Sequence, residues 1–192
     1  ISGKFNFADG TTIYLGNSGT CVRFLTAVLG LLNTTKKIII TGDKYMKKRP
    51  IADLIDCLYK LGVDIVSKKN NGCPPLIING SNTCLNSNYM KISTIKSSQY
   101  LTGILLASPL IENSNIIETD DILVSSKFVD LTLDIMQEFG IKIKKDDNVF
   151  IVDKQFFVNP KVYNIQADAS SASYLLGLAA LNIIKNPDCD KK

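Results

Sequence analysis

Apolar positions along the chain follow a helical period interrupted by short continuous runs. Leu25, Val28, Leu29 and Leu32 recur at helical spacing between Phe24 and Leu32, a stretch opened by Gly19-Thr20. The run Lys37-Ile38-Ile39-Ile40-Thr41 reads as a strand. A second helical pattern extends from Pro50 to Leu61 through Ile51, Leu54, Ile55 and Leu58. Pro50 suits its first turn and Gly62 the position past its last. Val63-Asp64-Ile65 then reads as a strand.

The same order returns 78 residues later. Ser97-Ser98 opens a helical stretch through Tyr100, Leu101, Ile104, Leu105 and Ala107. Ile116-Ile117 aligns with Ile38-Ile39, and Val129–Phe139 repeats the second helix, ended by Gly140. Ile141-Lys142-Ile143 aligns with Val63-Asp64-Ile65, and Ile141–Lys145 with Val149–Asp153 forms a hairpin-like pair. A third opening, Ala169 to Tyr174, leads into an apolar helix from Leu175 to Ile184. A unit of this length exceeds the roughly 20–50 residues of ordinary solenoid repeats. The pattern predicts an α/β (α+β) fold built from a duplicated β-α-β-α-β-β subdomain.

Composition narrows the class. With 192 residues, 45% of them apolar and 21% charged, the chain can bury a real core, which excludes disordered and collagen-like readings. Basic residues exceed acidic ones by 22 to 18, but the lysines are scattered in pairs without a dense run, so no nucleic-acid partner is expected. Histidine is absent. That removes Ser-His and Cys-His pairs, imidazole bases and His-ligated metals from this stretch, and no metal or cofactor is expected. The five cysteines (Cys21, Cys57, Cys73, Cys84, Cys189) are odd in number and form no C-x-x-C, which predicts unpaired thiols in a reducing compartment, the cytoplasm or a plastid-type organelle. No apolar run approaches the roughly 18–20 residues of a membrane span, so no membrane partner is expected. Starting at Ile1 without a methionine, the chain reads as a fragment or excised domain.

Each repeat places Gly, Ser or Thr where an apolar helix begins, at Gly19-Thr20, Ser97-Ser98 and Ala169–Tyr174, and bare N–H groups and the positive end of a helix lie there. Two readings stand for each: capping by the hydroxyl, or an anion site.

Four segments together resemble the enolpyruvyl transferase family in its 5-enolpyruvylshikimate-3-phosphate synthase branch. They are Leu15-Gly16-Asn17-Ser18-Gly19-Thr20 with Arg23; Met46-Lys47-Lys48-Arg49-Pro50-Ile51; Ser97-Ser98-Gln99-Tyr100-Leu101; and Asp168-Ala169-Ser170-Ser171-Ala172-Ser173-Tyr174. The resemblance implies transfer of the enolpyruvyl group of phosphoenolpyruvate to shikimate 3-phosphate, with release of phosphate, in chorismate and aromatic amino acid biosynthesis. It further implies that Asn17, Gly19, Arg49 and Gln99 meet phosphoenolpyruvate and that Ser97, Ser98, Gln99 and Ser125 meet shikimate 3-phosphate. Thr20, Arg23 and Asp168 support them. Arg23 orients the Asn17–Thr20 loop or adds positive potential, and Asp168 caps the third helix or pairs with a site cation. Arg23 and Arg49 are the only arginines among 22 basic residues, and both fall inside these motifs.

By the same resemblance the fold is a two-domain inside-out α/β barrel of repeated units, only partly present. Residues 1–160 supply most of the first, substrate-cradle domain, and 161–192 begin the second. The family's acid–base groups lie outside this chain, so its catalytic residues are unknown and the chain alone is expected to be inert. Its partners are then the two small substrates, the remainder of its own enzyme and, in an AROM-type multifunctional protein, other shikimate-pathway domains. Phe128 stands where relatives carry Tyr, Cys21 where many carry Ala and Phe24 where many carry Pro. Cys21, in the first turn of an apolar helix, is expected to pack as a small residue. Two other readings remain: a UDP-N-acetylglucosamine enolpyruvyl transferase, and a non-catalytic lysine-rich binding module.

Overall fold

The architecture comes from a computed structural model that describes residues 7–32, 35–79, 85, 87–120, 123 and 125–185. Cys84, Cys189 and residues 186–192 of the expected return segment lie outside the described residues. The chain divides into two compact units, Ile1–Asn159 and Pro160–Lys192.

The first unit holds the duplication. Strand β1 (Thr11–Tyr14) leads to helix α1 (Gly19–Leu31), β2 (Ile38–Thr41), a 3-10 turn at Met46–Lys48, α2 (Ala52–Lys60), β3 (Ile65–Ser67) and β4 (Leu76–Ile78). The second copy runs β5 (Tyr89–Ile92), α3 (Gln99–Ala107), β6 (Asn115–Thr119), α4 (Ser126–Glu138), β7 (Ile143–Asp146) and β8 (Val149–Val152). Each copy forms a four-stranded sheet with the same order, β1-β2-β4-β3 and β5-β6-β8-β7. In both, the first pair is parallel and the others antiparallel. The predicted hairpin is β7–β8.

The helices adjust to their surroundings in ways the pattern did not specify. Arg49 precedes a proline and takes the extended conformation that this favours (φ −84°, ψ 123°), so Pro50 stays outside α2, whose N-cap is Ile51. The strand expected at Val63–Ile65 starts instead at Ile65. Gly62, at φ 92°, turns the chain back so that the Val63 N–H bonds to the Leu58 carbonyl, leaving Val63 in the helix-ending turn. Gly140, 78 residues on, has φ 83° and does the same after α4, with the Ile141 N–H on the Met136 carbonyl.

Within the sheets the 78-residue alignment needs correcting. Thr11 pairs with Ile38 and Tyr89 with Ile116, so the backbone register repeats. The faces do not. Ile38 and Ile40 are buried, whereas Ile116 is exposed and Ile117 is buried. A strand alternates its faces with period two, so an alignment one residue out exchanges core for solvent. Ile116-Ile117 therefore matches Ile38-Ile39 in pairing but not in which side chain enters the core.

Helix α3 lies at the centre of the unit, with Tyr100, Leu101, Ile104, Leu105 and Ala107 all buried. It packs against α1, where Val22, Ala27, Leu29 and Leu31 are buried. Gly103 permits the approach: a Cβ there would sit 3.0 Å from the Ala27 Cβ and 3.2 Å from the Arg23 carbonyl oxygen. Cys21 is exposed rather than packed, beside the equally exposed Thr20 in the first turn of α1; this corrects the packing expectation. Cys57 and Cys73 are buried, and all three are unpaired.

In the second unit, α5 (Ala169–Lys185) begins behind Asp168, whose carboxylate accepts from the Ser170 N–H at 2.9 Å and the Ser171 hydroxyl at 2.6 Å. The Ser171 hydroxyl, with the two backbone donors, holds the Asp168 carboxyl below the usual carboxylate range. Asp168 is thus the helix cap. Among the described residues, no helix is long and apolar enough to cross a membrane, and no cluster of His, Cys, Asp and Glu is suited to a metal ion.

Candidate functional site

The first unit places the α1 and α3 openings side by side. Ser18 caps α1, its hydroxyl accepting from the Cys21 N–H at 3.4 Å. Just before it, the Leu15–Asn17 loop is clamped to the loop after β2: Leu15 N–H to the Thr41 carbonyl, and Asp43 N–H to the Gly16 carbonyl. Only glycine fits at Gly42, since a Cβ there would lie 2.1 Å from the Gly16 carbonyl oxygen. Asp43 then turns the chain by accepting from the N–H groups of Tyr45 and Met46 at 2.9 and 2.8 Å. This delivers Arg49 to α1.

Arg49 Nη1 donates to the Asn17 carbonyl at 3.2 Å, and its guanidinium lies flat against Gly19. A Cβ at Gly19 would stand 2.8 Å from Nη1 and 2.9 Å from Cζ, so the guanidinium occupies space that only glycine leaves free. Asn17, Gly19 and Arg49 therefore form one cluster, with Arg49 exposed and its planar fork available for a bidentate anion.

A second cluster adjoins it. Arg23 Nη1 donates to Gln99 Oε1 at 2.6 Å, and Gln99 Nε2 donates to Thr20 Oγ1 at 3.0 Å. Gln99 thus ties the α3 opening to the α1 opening, and Arg23 orients Gln99 rather than the loop directly. The Arg23 guanidinium also lies over the buried Tyr100 ring, 5.4 Å from its centroid. The Tyr100 hydroxyl donates to the Pro50 carbonyl at 2.9 Å, next to Arg49. The sequence pattern marked Tyr100 only as a core position; the hydroxyl on an otherwise apolar face was the available signal.

Beside Gln99 opens a cavity of about 590 Å³, whose polar lining includes Thr20, Arg23, Lys96, Ser97, Ser98 and Ser125. Phe24, Leu106, Phe128, Leu131 and Ile135 supply apolar lining. The lining carries two cations, Arg23 and Lys96, and no carboxylate. Lys96 escaped the sequence reading because it sits outside the quoted motif by one residue.

The hydroxyls divide by use. Ser18 and Asp168 cap their own helices. Ser98 and Ser125, at the N-cap positions of α3 and α4, make no side-chain capping bond. Ser125 is further held in the left-handed region, φ 57° and ψ 46°, an unfavourable conformation for a residue with a Cβ. Ser97 Oγ accepts from the Gln99 N–H at 3.2 Å. The structure so brings together Asn17, Gly19, Thr20, Arg23, Arg49, Ser97, Ser98, Gln99 and Ser125 within the first unit, while Asp168 belongs to the second.

This arrangement suits anionic ligands. The cavity lining carries one guanidinium, one ammonium and no carboxylate, Arg49 stands exposed at the adjoining α1 opening, and the apolar lining leaves room for a carbon skeleton.

Comparison with known proteins points to a family. The family model for EPSP synthase (3-phosphoshikimate 1-carboxyvinyltransferase) matches residues 1–186. A 3-phosphoshikimate 1-carboxyvinyltransferase of Haemophilus influenzae (strain PittEE) is 40% identical over 184 residues, which is 94% of this chain and 42% of that protein. One from Actinobacillus pleuropneumoniae serotype 3 (strain JL03) is 39% identical over the same length. A solved EPSP synthase from Acinetobacter baumannii superimposes with a TM-score of 0.65 at 26% identity, covering 79% of this chain and 32% of that one. The chain thus spans less than half the length of these relatives.

Proposed function

The chain belongs to the EPSP synthase family, and from that premise we propose that the intact protein transfers the enolpyruvyl group of phosphoenolpyruvate to shikimate 3-phosphate, releasing phosphate. The observation that carries this reading is the pair of adjoining clusters at the α1 and α3 openings, one presenting Arg49 over Gly19 and the other holding Gln99 beside Ser98 and Ser125, whose hydroxyls make no helix-capping bond. Phosphoenolpyruvate brings a phosphate and a carboxylate, and the acceptor brings a second phosphate. Several negative charges must be held close together, so fixed cations and N–H donors have to be in place before the ligands arrive.

In this assignment Arg49 grips phosphoenolpyruvate, with Asn17 and Gly19 shaping the surface under it. Ser97, Ser98 and Ser125 hold the phosphate of shikimate 3-phosphate. Gln99 stands between the two ligands, oriented by Arg23 and Thr20. Holding the acceptor hydroxyl against the enolpyruvyl carbon makes the encounter effectively unimolecular, a large part of the catalytic gain. The addition and elimination steps need a proton donor and acceptor, which we place in the remainder of the enzyme. The 192-residue chain is then a substrate cradle, inert alone. We assign the first unit to the cradle domain and the second to the beginning of the other domain, and we place the whole enzyme in the cytoplasm, where unpaired Cys21, Cys57 and Cys73 persist as thiols.

The test uses the full-length protein that contains this chain. With both substrates it should release phosphate, and Arg49→Ala should lower kcat/KM for phosphoenolpyruvate by orders of magnitude. An unchanged rate removes Arg49 from the site. Turnover with UDP-N-acetylglucosamine as acceptor, and none with shikimate 3-phosphate, would overturn the substrate assignment.

A further inference from the structure

Of the two cations in the cavity, Arg23 is already engaged on two sides, by Gln99 Oε1 and the Tyr100 ring. Lys96 is held less firmly. Its ammonium meets Asp53 Oδ1 at 3.0 Å, and 54% of its side chain remains exposed. Asp53 belongs to α2 and does not itself line the cavity. An exposed lysine–carboxylate pair of this kind contributes little by itself, and the four-carbon lysine stem lets the ammonium change partners by rotation. The hydrogen bond that the ammonium donates to Asp53 raises the Lys96 pKa, so the ammonium stays charged at any working pH.

We infer that Lys96 is a further substrate-binding residue, which leaves Asp53 to meet the phosphate of the phosphorylated acceptor as that group enters beside Ser97, Ser98 and Ser125. Three features converge on this. Lys96 adjoins Ser97 in sequence and lines the same cavity. The serines supply hydroxyls but no charge, and Arg23 is committed to Gln99, so a dianion there lacks a mobile counter-charge without Lys96. Asp53, outside the lining, restrains the ammonium at the rim without placing a negative charge where the phosphate binds. The inference rests on the acceptor proposed above.

The experiment measures phosphate release by the full-length protein while shikimate 3-phosphate is varied. Lys96→Met should raise KM for this substrate about tenfold, the order expected for one partly exposed charge-assisted contact. Both kcat and KM for phosphoenolpyruvate should stay within about twofold, and Lys96→Arg should restore most of the loss. Asp53→Asn, which removes the resting partner but leaves the ammonium, should keep KM for shikimate 3-phosphate unchanged or lower it. The inference is overturned if Lys96→Met leaves that KM unchanged, or if Asp53→Asn raises it as much, which would make the pair purely structural. A wild-type protein without activity overturns the functional reading and Lys96 with it; an active wild type indifferent to Lys96→Met removes Lys96 alone.

Discussion

Replacing Gly19 with alanine tests how closely the backbone of α1 shapes the phosphoenolpyruvate side of the site. The added Cβ would stand 2.8 Å from Arg49 Nη1, 2.9 Å from Cζ and 3.2 Å from Nη2. Ordinary contact between such atoms begins near 3.5 Å, so the guanidinium must retreat by about 0.6–0.7 Å. Gly19 is the first residue of α1, and alanine is no worse a helix former there, so the helix has no reason to move. The displaced atoms are the tip of a flexible side chain. The strain is therefore relieved by moving Arg49, at the expense of its geometry toward an anion. A charge-assisted hydrogen bond contributes a net ~1.5–3 kcal/mol, and lengthening it by this much should lose roughly 1 kcal/mol, or about fivefold in affinity. In the full-length protein, phosphate-release kinetics should show KM for phosphoenolpyruvate raised about fivefold, with KM for shikimate 3-phosphate and the melting temperature nearly unchanged. Gly19→Val, which adds two further methyl groups, should multiply the effect. An unchanged KM for phosphoenolpyruvate, or an equal rise for both substrates, would refute the reasoning.

Three further outcomes follow from the same geometry. Gly103→Val should destabilise the fold by about 2–3 kcal/mol, because its methyl groups meet Ala27 and the Arg23 carbonyl across the α1–α3 contact; urea unfolding would show it as a lower midpoint at constant slope. Burial pushes the Cys57 thiol up from 9.0 to about 11, so at pH 8 a thiol reagent should label exposed Cys21 quickly and leave Cys57 until the chain unfolds; rapid labelling of Cys57 in the native state would contradict its placement. The unfolded thiol ionises before the folded one, so this group's contribution to stability is complete below about pH 9 and is lost as pH rises toward 11, which a denaturation series across that range should display.

The order of helices and strands, their duplication and the motif residues were all legible in the sequence, because hydrophobic period, the positions of Gly62 and Gly140, and the Asn17–Thr20 and Ser97–Gln99 signatures are local properties. The two arginines were legible too, standing out against a lysine-rich background. What the linear pattern left open was settled by contacts between residues far apart in the chain. Identity between repeats aligned Ile38 with Ile116, but only packing decides which face of a strand is the core, and there the two copies differ by one residue. Its place in the first turn of an apolar helix suggested that Cys21 packs, whereas the tertiary structure leaves it exposed. Hydroxyls at the helix openings looked alike; the structure separates Ser18, which caps its own helix, from Ser98, and from Ser125 before α4, which do not. Arg23 and Gln99 are 76 residues apart and Arg49 lies 32 from Asn17, so no local rule predicts that each pair shares a hydrogen bond. Periodicity specifies elements because it acts within a few residues. The site is specified by which elements meet, and that depends on the packing of the whole unit.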